Sequence, residues 1–468
     1  MSADLALLSA AEIARRIRTG TVTSRAALEA CLARTETWNA KLNVYIALDA
    51  EGARRAADAA DADAKRGRFA GPLHGVPLAH KDMYYREGRV ATCGSNIRRN
   101  WVAPTTASAL KRLDAAGALD LGTLNMAEFA FGPTGHNWCV GHARNAWNPD
   151  HITGGSSSGS ATGVAARMFF GALGSDTGAS IRVPAHFCGV VGIKPTWGRV
   201  SRAGAMALSW SLDTVGPLTR TVEDAALILG IIAGADPADP TAAQESVPDY
   251  VAGLARGVAG LRVGVPTSFF TETDAETRRL LGDAEKSFAA LGATIVPVDL
   301  PDMDRLNTFC SMVLPCEAAT IHREWLRTRP QDYGGQVRAR LEAGLMVPAV
   351  LYLDALRARG ELLEEFTRKV FGRCDVLMAA VTDSAAPTLA ESEALPGPDL
   401  GAKLGRFTKF TRCINYLGLP GLTVPAGFAA NGLPIGFQLI GRAFDEATLF
   451  AAGHAYQQAT DWHMRVPG

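Results

Sequence analysis

Two glycine- and serine-rich segments concentrate the residues that could act on a substrate. They read Gly154-Gly155-Ser156-Ser157-Ser158-Gly159-Ser160 and Gly174-Ser175-Asp176-Thr177-Gly178-Ala179-Ser180-Ile181-Arg182. The first lacks the Gly-Lys-Ser/Thr end of a phosphate-cradling loop and the GxGxxG of a dinucleotide loop. Read instead as a flexible Gly/Ser linker, it would not be followed at once by a helical and then an apolar stretch. The third reading is a tight turn that presents serine hydroxyls and backbone N–H groups to a substrate. A serine is a weak nucleophile at its free pKa and needs a base. No GxSxG elbow is present, and no histidine is tied to these serines by a known spacing. A lysine can serve when burial keeps it neutral, because burial penalises the charged form. Lys81, which closes the apolar run 76–80, is the candidate. The alternative is a strand-end lysine that snorkels to solvent.

Such residues act only if the surrounding elements hold them. Ser9-Ala10-Ala11-Glu12 forms a capping box, and Ser24 is placed to cap a second helix over 25–38 with Leu28, Cys31 and Leu32 on one face. A third helix is expected over 53–65, and a short buried strand over 75–81. Beyond residue 107 the pattern alternates. Helices are expected over 107–116, 158–166 and 221–234, and strands over 119–122 and 168–173. Strand 261–265, helix 274–291 and strand 293–298 make a β-α-β unit, hence parallel pairing. The Asp-, Pro- and Ala-rich stretch 235–246 is the best boundary candidate, but the same texture continues past it. The expected fold class is α/β, a single large domain over 1–468 with a mixed central β-sheet surrounded by helices. Within it, 1–65 is an N-terminal helical segment and 66–230 the catalytic core.

Composition narrows the partners. Lys and Arg number 47, as do Asp and Glu, so the formal net charge is zero. That balance argues against nucleic acid or an anionic membrane as partner. The longest uncharged apolar run, 225–235, is far short of the ~20 residues of a membrane-spanning helix. The start, MSADLALLSA, has no basic region of the kind that begins a secretory signal, so a cytoplasmic location is expected. The eight cysteines include no CxxC, and Cys310 and Cys316 fall outside zinc-site spacing. They read as reduced apolar fillers. With the histidines dispersed as well, no metal and no cofactor is expected.

The chain resembles the amidase signature family over nearly its whole length. The resemblance rests on GVPLAHKD (75–82), LNMAEFAFG (124–132), RNAWNPDHITGGSSSGSA (144–161), GSDTGASIRVPA (174–185), GVVGIKPTWGRVS (189–201), SLDTVGPLTRTVEDAA (211–226) and GLPIGFQLIGRAFDEATL (432–449). It implies a Ser-cisSer-Lys triad with Ser180 as nucleophile, Ser156 as the bridging serine on a cis peptide, and Lys81 as base. It further implies an oxyanion hole of the backbone N–H groups of Thr177, Gly178, Ala179 and Ser180. The carbonyl of Ala130 would receive the amide nitrogen. Neutral Lys81 would take the Ser156 proton, Ser156 the Ser180 proton, and Ser180 would attack the amide to form an acyl-enzyme.

Three departures from the family pattern stand out. Ala179 replaces a usual glycine, which costs ~1–2 kcal/mol if that position needs positive φ. Ser158 replaces another glycine, and His80 and Met83 flank the base in place of an aliphatic residue and an asparagine. His186 and Cys188 could be imagined as a nucleophilic pair but read as structural, and Asp176 and Arg182 as a buried ion pair that shapes the turn.

The implied substrate is a small-molecule amide, with a homodimer left open. Met126, Phe129, Phe131, Trp138, Met206, Leu208 and Trp210 supply apolar surface near the site. At least half of them are expected in the core. No motif suggests a carboxylate clamp, so uncharged aryl or alkyl amides are expected over free glutamine. The nearest alternative is the amidotransferase subunit that releases ammonia from glutamine for aminoacyl-tRNA synthesis. Against it, the segment 335–341 looks like stand-alone amidases. An ester or carbamate hydrolase, or a silent binding protein on the same scaffold, completes the alternatives; the presence of all three triad residues argues against the last.

Overall fold

Short apolar runs cannot bury both faces alone, and here they do so by pairing. The computed structural model describes residues 5–393 and 395–468. Its strands are β1 (Tyr45–Leu48), β2 (Pro77–Lys81), β3 (Leu119–Leu124), β4 (Gly171–Asp176), β5 (Val191–Lys194), β6 (Thr214–Thr219), β7 (Arg262–Pro266), β8 (Thr294–Val298), β9 (Val376–Ala380), β10 (Gly421–Phe428) and β11 (Pro434–Ile440). They form one sheet in the order β1-β3-β2-β4-β6-β5-β10-β11-β9-β7-β8. β2 runs parallel to β3 and β4, and β7 parallel to β8 and β9. The centre, from β4 through β6, β5, β10 and β11 to β9, is antiparallel. Every residue of β2, β4, β5, β6, β9 and β11 is buried, which requires cover on both faces. The chain is thus the expected α/β domain with a mixed sheet wrapped by helices.

The β-α-β unit is present as β7, the helix Ala275–Ala290 and β8. Several boundaries move by a few residues, two of them for a visible reason. Thr23, not Ser24, caps the second helix, its Oγ1 accepting from Ala26 N at 3.1 Å. Ser24 is instead buried in the first turn, its N–H held by Asp61 Oδ1 at 2.6 Å. The strand expected over 168–173 begins three residues later, at Gly171, because Arg167 takes a left-handed turn (φ 64°) and Met168 to Phe170 are spent on the core. That shift carries β4 into Ser175 and Asp176.

The stretch 235–246 is no linker. Arg112 reaches the carbonyls of Ile232, Gly234 and Ala235, and Arg199 those of Glu245 and Ser246. Among the described residues no helix is long and apolar enough to cross a membrane.

Candidate active site

Parallel pairing decides which residues meet. Ala79 lies opposite Ala172 and His80 opposite Leu173, so the next residues, Lys81 on β2 and Gly174-Ser175-Asp176 on β4, end at the same edge of the sheet. Substrate crevices in α/β sheets form outside such carboxyl ends. Lys81 is fully buried. Its Nζ lies 2.7 Å from Ser156 Oγ, 2.9 Å from Ser175 Oγ and 3.1 Å from Ser157 Oγ. Burial drives its pKa down to about 7, although Asp176 and Asp213 pull it back upward. A neutral amine has two N–H groups and one lone pair, so it can donate to two of these hydroxyls and accept a proton from the third.

The Gly/Ser turn is locked to its surroundings by backbone contacts. The Gly155–Ser156 peptide is cis. Gly155 N donates to Pro133 O at 2.7 Å, and Ser156 O accepts from Ala127 N at 3.0 Å. A Cβ at Gly155 would lie 2.3 Å from Gly132 O, and one at Gly174 would lie 2.7 Å from Ser157 Oγ. Gly155 therefore requires glycine for its close approach to backbone, whereas the neighbours of Gly174 are side chains. Ser157 N donates to Ser180 O at 3.3 Å, which ties the two serine segments together. Ser180 is 7% exposed, whereas Lys81 and Ser156 are at 0%. The nucleophile candidate is thus the member of the group that reaches toward solvent.

The turn before Ser180 is held from below. Asp176 Oδ2 accepts from Ile181 N and Arg182 N at 3.0 and 3.3 Å, and from Arg182 Nε at 3.1 Å. Both partners of this ion pair are fully buried. Burial alone would raise the Asp176 carboxyl, but Arg182, Lys194 and Asn415 outweigh it and hold it below the usual range. Thr177 Oγ1 donates to Asp213, Thr411 Oγ1 donates to Gly178 O, and Val183 N donates to Ala179 O. The N–H groups of Thr177, Gly178, Ala179 and Ser180 donate to no acceptor among the described residues. Four consecutive donors are therefore left unclaimed by the fold, as an oxyanion site requires.

The departures from the family pattern are accommodated. Ala179 lies outside the positive-φ region, so the alanine needs no rearranged loop. Ser158 Oγ donates to Asn125 O at 3.3 Å, away from the base. His80 is buried, and burial pushes its pKa down to about 4.

Ala130 ends a single turn, Glu128–Ala130, in which Phe129 (φ 48°) and Ala130 (φ 60°) are both left-handed. Such conformations persist only where the surroundings over-determine them. Here Glu128 is gripped by Ser95 Oγ at 2.6 Å and Gly334 N at 2.9 Å, and Phe129 packs on His322, Trp325 and Tyr333.

A structural role for His186 and Cys188 fits their contacts. The imidazole accepts from Gly436 N at Nδ1 and sits 3.1 Å from Ser384 O at Nε2, while burial raises the Cys188 thiol. Among the described residues no group of three or more His, Cys, Asp or Glu side chains could hold a metal.

A cavity of about 370 Å³ opens beside Gly178. Of the seven apolar residues proposed from sequence, only Phe131 lines it. Met126, Phe129 and Leu208 are core, and Trp138 stacks on His136. Met206 and Trp210 line a second cavity of about 230 Å³ that reaches Ser175 and Asp213. Arg340 and Arg412, charged groups that no sequence motif pointed to, both line the first cavity. These two arginines and Ser175 escaped sequence reasoning. Ser175 was legible as the last hydroxyl before Asp176. The arginines lie far along the chain and reach Gly178 only through the fold.

The Amidase family model matches residues 26–450. The chain is 40% identical to a Glutamyl-tRNA(Gln) amidotransferase subunit from Halorhodospira halophila over 98% of each chain. Its fold superposes with a TM-score of 0.91 and 33% identity on a structure from a vestigial protein complex that reveals the evolutionary origins of an s-triazine catabolic enzyme, covering 97% of this chain and 98% of that one. The native peptide amidase of Stenotrophomonas maltophilia matches with a TM-score of 0.85 and 30% identity over 98% of each chain.

Proposed function

The chain belongs to the amidase family and is an enzyme of carbon–nitrogen amide bonds; from that premise we propose that it hydrolyses small amides through Lys81, Ser156 and Ser180. The observation that carries this reading is Lys81, fully buried, with a pKa near 7 and Ser156 Oγ at 2.7 Å. Neutral Lys81 accepts the Ser156 proton as Ser156 accepts that of Ser180. The Ser180 oxygen then bonds to the amide carbon. The N–H groups of Thr177 to Ser180 take the developing oxyanion, each such donor being worth ~3 kcal/mol in the transition state, and the Ala130 carbonyl receives the amide N–H. Collapse passes the proton back through Ser156 to the leaving amine, and water releases the acyl group by the same relay. Ser157 and Ser175 keep the amine of Lys81 aimed at Ser156.

The test is amide turnover in Ser180→Ala, Ser156→Ala and Lys81→Ala, each of which should lose several orders of magnitude, because relay members act as a unit. Cys188→Ala serves as the control that keeps activity. Hydroxylamine should trap the acyl group as a hydroxamate. Normal turnover in Ser180→Ala would end the proposal.

A second reading has one specific support. The relative at 40% identity belongs to an amidotransferase, which makes glutamine a substrate to test and a protein partner a component to look for. Glutaminase activity that appears only with a co-purifying protein would favour it.

A further inference from the structure

The serine-relay reading leaves the substrate's chemistry open, and the cavity beside Gly178 bears on it. Its lining holds two guanidiniums, Arg340 and Arg412, and no Asp or Glu. Arg340 is already engaged: Nη1 donates to Phe131 O at 2.7 Å and Cζ lies 3.6 Å from the Phe131 ring centroid. Burial, and then the charge of Arg412, pushes its pKa down to about 9. Arg412 is different. It enters no ion pair among the described residues, and its Nε is shut off from water without an acceptor. A Cβ built on Gly178 would lie 3.6 Å from Arg412 Cβ, so this arginine, at the start of the helix Arg412–Leu417, packs against the turn that leads to Ser180. An arginine fork is suited to bind a carboxylate with two parallel hydrogen bonds.

We propose that the substrate is an amide bearing a carboxylate, and that Arg412 receives that carboxylate in the cavity beside Gly178. Gly178 precedes Ser180 by two residues, at most ~7 Å of chain, and the arginine fork extends past it toward Gly405, whose built Cβ would lie 3.4 Å from Nη1, so the carboxylate sits a short chain away from the scissile carbonyl. Arg340 adds a second positive charge to the same wall, and the hydroxyls of Ser311 and Thr408 line it too. With no acid in the lining, an ammonium group meets two positive charges and no counter-ion. Short monoamides of dicarboxylic acids therefore fit, whereas zwitterionic glutamine does not. The inference rests on the serine-relay reading for the site of attack, and it replaces the expectation of an uncharged substrate.

The test compares kcat/KM for glutaramate, pentanamide and glutamine, which share a chain length and differ in charge. Glutaramate should exceed each of the others by about tenfold or more, the usual range for one charge-assisted contact. In Arg412→Met the glutaramate-to-pentanamide ratio should fall by about tenfold, and Arg412→Lys should restore part of it. Equal rates for glutaramate and pentanamide in the native enzyme, or a ratio that survives Arg412→Met, would overturn the inference. Calorimetric binding of glutarate to Ser180→Ala, repeated with Arg412→Met added, reads the same contact without turnover. If pentanamide turns over but glutarate does not bind, the carboxylate site falls and the hydrolase reading stands. If glutarate binds through Arg412 but no amide turns over, the hydrolase reading falls and the carboxylate site stands.

Discussion

Raising the pH from 6 to 8 should increase kcat/KM for a neutral amide about tenfold, with little further gain up to pH 9. Lys81 sets both the rise and the plateau. Moving a lysine from 10.5 to about 7 means that its surroundings disfavour the charged form by ~5 kcal/mol, at about 1.4 kcal/mol per pH unit. Burial supplies that penalty, and the charges of Asp176 and Asp213 only soften it. A base with a pKa of 7 is neutral in ~9% of molecules at pH 6 and ~91% at pH 8, and the free enzyme's essential base appears in kcat/KM. Had Lys81 kept an ordinary pKa, only ~0.3% would be neutral at pH 8, and the rate would go on climbing tenfold per unit through pH 9. The assay is ammonia release from pentanamide at constant ionic strength, with single-point checks that the enzyme recovers after each incubation. A profile still rising tenfold per unit between pH 8 and 9 would refute a neutral lysine as the base. Stability carries the same signature with a defined sign. Between about 7 and 10.5 the unfolded chain holds a proton that folded Lys81 has lost, so the contribution of Lys81 to stability rises with pH across that window.

Three further outcomes follow from the same geometry. Ser175→Ala removes an acceptor 2.9 Å from Lys81 Nζ; kcat should fall about tenfold with KM nearly unchanged, and the midpoint of the pH profile should move to lower pH as the charged form loses a partner. Arg182→Met leaves Asp176 charged and buried without its cation, which should cost ~3–5 kcal/mol in urea unfolding; a loss below ~1 kcal/mol would show that the ion pair does not hold the turn. Gly155→Ala would set a Cβ 2.3 Å from Gly132 O, so turnover and Tm should both drop, while Gly282→Ala, with open space around it, should leave both intact.

The candidate site residues were legible in the sequence because their chemistry is local. Ser156, Ser180 and the small residues between Thr177 and Ser180 crowd into two segments, and Lys81 closes an apolar run. Their types and spacing already pointed to a serine nucleophile with a lysine base, and the motif resemblance assigned each a role. The β-α-β texture likewise determined the class of the fold, since hydrophobic period and turn residues are properties of neighbouring positions.

Distance, burial and charge depend instead on which segments the sheet brings together. Whether Lys81 snorkels or stays buried was undecidable until β2 paired with β4 and set Nζ among three hydroxyls. Ser175 became a partner of the base only because β4 starts three residues later than its apolar run suggests. The fate of Ala179 turned on a backbone angle that the side chain alone does not dictate. Of the apolar residues expected near the site, Met126, Phe129 and Leu208 were drawn into the core, whereas Trp138 and Trp210 stay exposed. The two arginines of the cavity lie more than one hundred and fifty positions beyond Gly178 in the numbering of the chain. No spacing rule links them to Ser180; packing of the segments around residues 340 and 412 against the 178 turn does.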